Sequence, residues 1–89
     1  MTKKPRDLEQ EALEAVANRL VGREIASVIY FPEEEAAEYD WCFRPIVLEL
    51  GDGSHIFPMS DAEGNDGGTL ATGYEDMPLI SARWSQPSS

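Results

Sequence analysis

Residues 46–57 read IVLELGDGSHIF, from Ile46 through Gly51-Asp52-Gly53 to Phe57. Side chains along a strand alternate between faces, so Ile46, Leu48 and Leu50 point one way while Val47 and Glu49 point the other. The run then meets Asp52-Gly53, a pair favoured in tight hairpin turns because both residues tolerate left-handed backbone. Apolar residues resume at Ile56 and Phe57, and Pro58 closes the segment. This spacing predicts an antiparallel hairpin, with one strand ending at Leu50 and its return over Ser54–Pro58. The chain is thereby committed to a sheet.

Reading back towards the N-terminus, Pro45 interrupts the longer run Trp41–Leu50. A proline has no N–H for the ladder, so pairing is expected to begin near Ile46 or to pass a bulge or edge position. Residues 24–31, EIASVIYF, form a second β-rich run with apolar groups on both faces: Ile25, Ile29 and Phe31 on one, Ala26, Val28 and Tyr30 on the other. That pattern predicts a strand that is central or covered on both sides. Pro32 ends it and suits the first turn of a short helix over PEEEAAEY, whose Glu33, Glu34 and Glu35 favour the positive end of a helix. Residues 7–21 carry a helical stripe of Leu8, Ala12, Val16 and Leu20, widened by Leu13 and Ala17. Asp7 is placed to cap its first turn with Gln10 three residues on, and Gly22 to end it. Glu9, Glu11 and Glu14 face water by the same pattern.

On the other side of the hairpin lies a polar loop, 58–68, followed by strand candidates at Thr69–Thr72 and Leu79–Trp84. The expected fold class is therefore α+β: the N-terminal helix packed on a curved, mainly antiparallel sheet of four to five strands, which a small open barrel would close. Residues 7–84 make a single domain in this reading, with a flexible N-terminus at 1–6 and a flexible tail at 85–89.

The chain has 89 residues and a formal net charge of -10, from 17 acids against 7 bases. Such a field repels phosphate backbones and argues against nucleic acid as a partner. It favours basic partners or cations. One cysteine, Cys42, excludes both an internal disulfide and a multi-thiolate zinc site within a chain. No apolar run approaches the roughly 20 residues that cross a bilayer, so no membrane association is expected, and cytoplasmic residence is the default.

The loop Pro58-Met59-Ser60-Asp61-Ala62-Glu63-Gly64-Asn65-Asp66-Gly67-Gly68 invites three readings. Asp61, Glu63 and Asn65 repeat at spacings of two, as the first ligands of a calcium loop do. The next position is Asp66 where a glycine is wanted, and the twelfth is Thr72 where a glutamate is wanted, so a looser calcium or magnesium site on Asp61, Glu63 and Asp66 is the form this reading takes. A phosphate cradle fails, since no lysine follows the glycines. The third reading needs no ligand: Asp61 and Asn65 bond to nearby backbone and shape the turn.

From Gly22 to Leu70, about half the chain, the sequence resembles a group of small uncharacterised bacterial proteins. The shared elements are Gly22-Arg23-Glu24-Ile25, Trp41, Arg44-Pro45, Asp52-Gly53, and Asp61-Ala62-Glu63-Gly64-Asn65 followed by Gly68-Thr69-Leu70. The resemblance implies no activity.

Among other groups, His55 is the single histidine, with Asp61 or Glu63 as candidates to orient it, and Ser54, Ser60 and Cys42 as candidate nucleophiles beside it. Arg44, alone among acids, is expected to pair with the 33–40 segment or with Asp61. Trp41, Tyr39, Tyr30 and Trp84 are candidates for an aromatic patch suited to basic side chains. The functional expectation is a non-enzymatic acidic protein-interaction domain, with Asp61, Glu63, Asn65, Asp66, Arg44 and Trp41 as binding residues and no cofactor. The alternative is a cation-binding protein or metal-assisted hydrolase, and self-association is a further possibility.

Overall fold

The structure, a computed structural model, describes residues 4–84. Residues 1–3 of the expected flexible N-terminus, and the whole expected tail at 85–89, lie outside the described residues. The elements are α1 (Pro5–Leu20), β1 (Ile25–Tyr30), α2 (Glu33–Glu38), β2 (Phe43–Arg44), β3 (Ile46–Leu50), β4 (His55–Ile56), β5 (Leu70–Tyr74), β6 (Met77–Ile80) and β7 (Arg83–Trp84).

The hairpin forms as its sequence predicts. β3 and β4 pair antiparallel, Leu48 opposite Ile56 and Glu49 opposite His55. Gly53 takes the turn's left-handed position at φ 90. The Asp52 carboxylate accepts from both the amide and the hydroxyl of Ser54, and these bonds, the hydroxyl first, hold its pKa below the ordinary 3.8.

A single curved sheet or barrel does not form. The strands divide into three separate sheets, β1-β3-β4, β2-β7 and β5-β6. Pro45 is the physical reason at the first junction: fully buried and without an N–H, it splits the Trp41–Leu50 run. β2 before it pairs with β7, and β3 after it pairs with β1. The second expected strand pair also divides, since Met77–Ile80 turns back on β5 and only Arg83–Trp84 reaches β2. β1 is correspondingly an edge strand and not a central one, and Ile25, Val28 and Ile29 are exposed.

The packing of the N-terminal helix is the second correction. α1 buries no residue, and Leu8, Leu13, Val16 and Leu20 remain 40–59% exposed. Arg23, immediately after the helix, is fixed by a bond from its Nε to the Arg19 carbonyl and by an ion pair with Asp52 at 3.5 Å. The chain accordingly extends over 56 × 29 × 29 Å, with a radius of gyration of 15.8 Å, against about 12 Å for a compact chain of this length. The helix also starts earlier than Asp7: Pro5 opens it, Lys4 is its cap, and the Asp7 amide donates to the Lys4 carbonyl. Proline at the first helical position loses nothing, because that N–H has no helical partner.

The core is small: Phe31, Ala36, Trp41 and Val47 form its main cluster, with Phe57 packed against them, and Ile46 and Leu50 are buried as well. Burial of each large apolar side chain contributes about 1.5–3 kcal/mol, so these rings hold the body together. No helix among the described residues is long and apolar enough to cross a membrane.

Candidate functional site

The alternation read in the hairpin determines one wall of a cleft. Val47 and Glu49 share a face of β3, Ile29 pairs opposite Val47, and His55 pairs opposite Glu49. Together with Phe31 and Phe57 they form the sheet side of a cleft of about 700 Å³. The opposite side comes from α2 and the loop: Glu35, Tyr39, Trp41, Met59, Glu63 and Gly64.

The floor is a stack of rings. Phe31 and Trp41 lie 4.9 Å apart between centroids, Phe31 and Phe57 5.3 Å, and Tyr39 and Trp41 5.6 Å. Tyr39 is the most open of them, 63% exposed, whereas Trp41 is 7% exposed. Glu35, Glu49 and Glu63 are three acidic residues among those lining this space. His55 Nε2 stands 3.7 Å from Glu49 Oε2, so its neighbour is a cross-strand residue and neither Asp61 nor Glu63.

The loop is built by its own side chains. Asp61 Oδ1 accepts from the amides of Glu63 and Asn65, at 3.0 and 3.2 Å. Asp61 Oδ2 accepts from Asn65 Nδ2 at 2.8 Å. These bonds, with the Asn65 side chain contributing most, hold the Asp61 pKa below 3.8. Asp66 faces elsewhere: its Oδ1 accepts from the Phe43 amide at 2.9 Å and from the Gly67 amide at 2.8 Å. The ends are zipped by Ser60 N–H to the Asp66 carbonyl and Gly68 N–H to the Pro58 carbonyl. The Trp41 indole N–H donates to the Gly64 carbonyl at 2.8 Å and joins the loop to the core. At Gly67 only hydrogen fits, because a Cβ would stand 2.5 Å from both the Phe43 carbonyl oxygen and Pro45 Cδ.

This arrangement does not gather a cation. The Asn65 side-chain nitrogen, a donor, occupies the space between Asp61 and Glu63, with Glu63 Oε2 at 3.5 Å. Asp66 is turned towards β2. Among the described residues no group of three or more His, Cys, Asp or Glu stands together as a metal site.

The six sequence-predicted binding residues therefore separate. Trp41 and Glu63 line the cleft, Asp61 and Asn65 shape the loop behind it, and Asp66 ties the loop to β2. Arg44 binds the short helix to β2, with one terminal nitrogen 3.6 Å from Glu33 and the other donating to the Phe31 carbonyl at 3.4 Å. The aromatic patch also divides: Tyr30 lies under the Arg83 guanidinium at 5.6 Å, and Trp84 meets Phe43 edge-on. Sequence reasoning missed Glu35, Glu49, Phe57 and Met59 as site residues. The shared face of Val47 and Glu49 was the signal that pointed to one of them. Ser54, one candidate nucleophile, spends its hydroxyl on Asp52, and Cys42 is exposed. No protein-family model matches the chain, and neither does any curated protein or solved structure.

Proposed function

We propose that the protein is a non-enzymatic interaction domain that receives a basic side chain of a protein partner in the aromatic cleft. The observation that carries this reading is that Glu35, Glu49 and Glu63 line the same cleft as Phe31, Tyr39, Trp41 and Phe57. A guanidinium or ammonium group over an aromatic face gains about 0.5–2 kcal/mol as desolvation increases, and nearby carboxylates add charge-assisted bonds. The net charge of -10 steers basic segments inward and turns phosphate backbones away.

Titration with N-acetylarginine amide and N-acetyllysine amide, followed by amide and indole NMR shifts, tests the reading. Shifts concentrated at Trp41, Tyr39, Phe57 and Glu63, weakened by salt and by Glu35→Gln with Glu63→Gln, are expected. Shifts elsewhere, or binding unchanged in that double variant, would overturn it.

A further inference from the structure

β1 gives the three-stranded sheet a long open edge. The order β1-β3-β4 puts β1 and β4 on the two margins of that sheet. β4 is only His55–Ile56, with Pro58 two residues on, a short margin of the kind that discourages further pairing. β1 runs over six residues, Ile25–Tyr30, without a charge, proline or glycine, and residues 25–29 are all exposed. Its one irregularity is a register shift at the start, between Ile25 and Ser27.

The phase of the ladder shows what that edge offers. The Phe31 amide donates to the Pro45 carbonyl, and in the same register Ile29 pairs with Val47 and Ser27 with Glu49. Bonded and non-bonded pairs alternate along an antiparallel ladder, so Phe31, Ile29 and Ser27 turn their backbone groups inward to β3. Val28 and Tyr30 turn theirs outward, and among the described residues no strand receives them. Donors and acceptors in this array are the complement of another extended backbone. Side chains alternate as well, and Ile29 and Phe31 lie on the cleft face. A residue of an added strand opposite Ile29 shares that face, so a long side chain there extends over the cleft that Glu35, Glu49 and Glu63 line.

We propose that β1 accepts an extended segment of a basic partner protein as an added strand, with an arginine or lysine of that segment directed into the cleft. The basic side chain rests on the function proposed above, and the added strand rests on the edge itself. Charge decides between a foreign segment and a second copy. β1 contains neither Lys nor Arg, so the β1 of a second copy would leave the three glutamates unanswered. It would also bring together two bodies of net charge -10. The neighbouring cations do not answer them either: Arg23 pairs with Asp52, Arg44 with Glu33, and Arg83 lies over Tyr30, a residue of the opposite face.

Calorimetric titration and amide exchange with a synthetic seven-residue peptide, threonine and valine alternating around a central arginine, test the proposal. The peptide is expected to bind about tenfold tighter, or more, than N-acetylarginine amide, and to slow exchange at the Val28 and Tyr30 amides. Two further peptides, N-methylated at alternate nitrogens along one edge or along the other, keep every side chain. One of them is expected to lose the gain and the other to keep it. Val28→Pro removes an outward donor and spares the bonds to β3, and is expected to lose the gain too. A peptide no tighter than N-acetylarginine amide, or equal binding by both N-methylated forms, overturns the added strand and leaves the cleft reading standing. If N-acetylarginine amide leaves the cleft unshifted, that reading fails alone, and the Val28 and Tyr30 amides decide the edge: protection by the peptide supports it and no protection overturns it. Protection that rises with protein concentration without peptide makes a second copy the occupant and likewise overturns the proposal.

Discussion

The 58–68 loop and helix α1 reverse the usual relation between regularity and fixation. The loop has neither a helical nor an alternating apolar pattern, yet Asp61, Asn65, Asp66 and the Trp41 indole fasten it to itself and to the core. The helix has the clearest periodicity in the chain, yet none of its residues is buried. Backbone periodicity therefore fixes a local conformation without fixing a neighbour. Short polar side chains fix a conformation and its neighbours together, because each bond names both partners.

The largest expected effect lies where loop and core meet. Trp41→Ala removes the ring between Phe31 and Tyr39 together with the bond to Gly64, and should lower stability by about 3–5 kcal/mol in denaturant unfolding. Trp41→Phe sharpens the result. It keeps a ring and loses the N–H, so a cost of about 0.5–1.5 kcal/mol with faster amide exchange over 60–68 is expected.

Gly67→Ala forces a methyl group against Phe43 and Pro45 backbone, an overpacking expected to cost about 1–3 kcal/mol. Gly73→Ala, where a Cβ meets nothing within 4 Å, should stay within about 0.5 kcal/mol of wild type. Equal effects of the two substitutions in thermal melts would break the contrast between a fastened loop and an open hairpin.

A smaller effect is expected with acid. Because the folded-state pKa of Asp61 is lowered from 3.8 by Asn65, its ionised form stabilises the fold above that value, and the contribution is lost as pH falls through the folded pKa. Melting temperature should fall over that window, and Asp61→Asn should show a shallower fall. Asp52, lowered by Ser54, sustains the remainder.

The smallest effect belongs to α1. Leu13→Ala should change the unfolding free energy of the body by less than about 0.5 kcal/mol, since Leu13 is 59% exposed. A loss like that of Trp41→Ala would show that the helix supports the core.

The hairpin at Asp52-Gly53, the helix ending before Gly22 and the short helix after Pro32 were legible because each rests on contacts within a few residues. The role of Pro45 was half legible: the sequence shows that pairing must break there, but not that the two pieces join different sheets. The division of the strands depends on long-range choices that period-two alternation does not encode. The bonds from backbone amides to Asp61 were legible from residue type, whereas the Asn65 side chain bonds to the Asp61 carboxylate and not to backbone. The cleft was not, because Glu35 from α2, Glu49 from β3 and Glu63 from the loop come to line one space only after folding.

Residue-resolved hydrogen exchange tests the central contrast most directly. The amides of Phe43, Ser60 and Gly68, which donate to Asp66, Asp66 and Pro58, are predicted to exchange more slowly than the amides of α1. Loop amides exchanging faster than those of the helix would contradict the account.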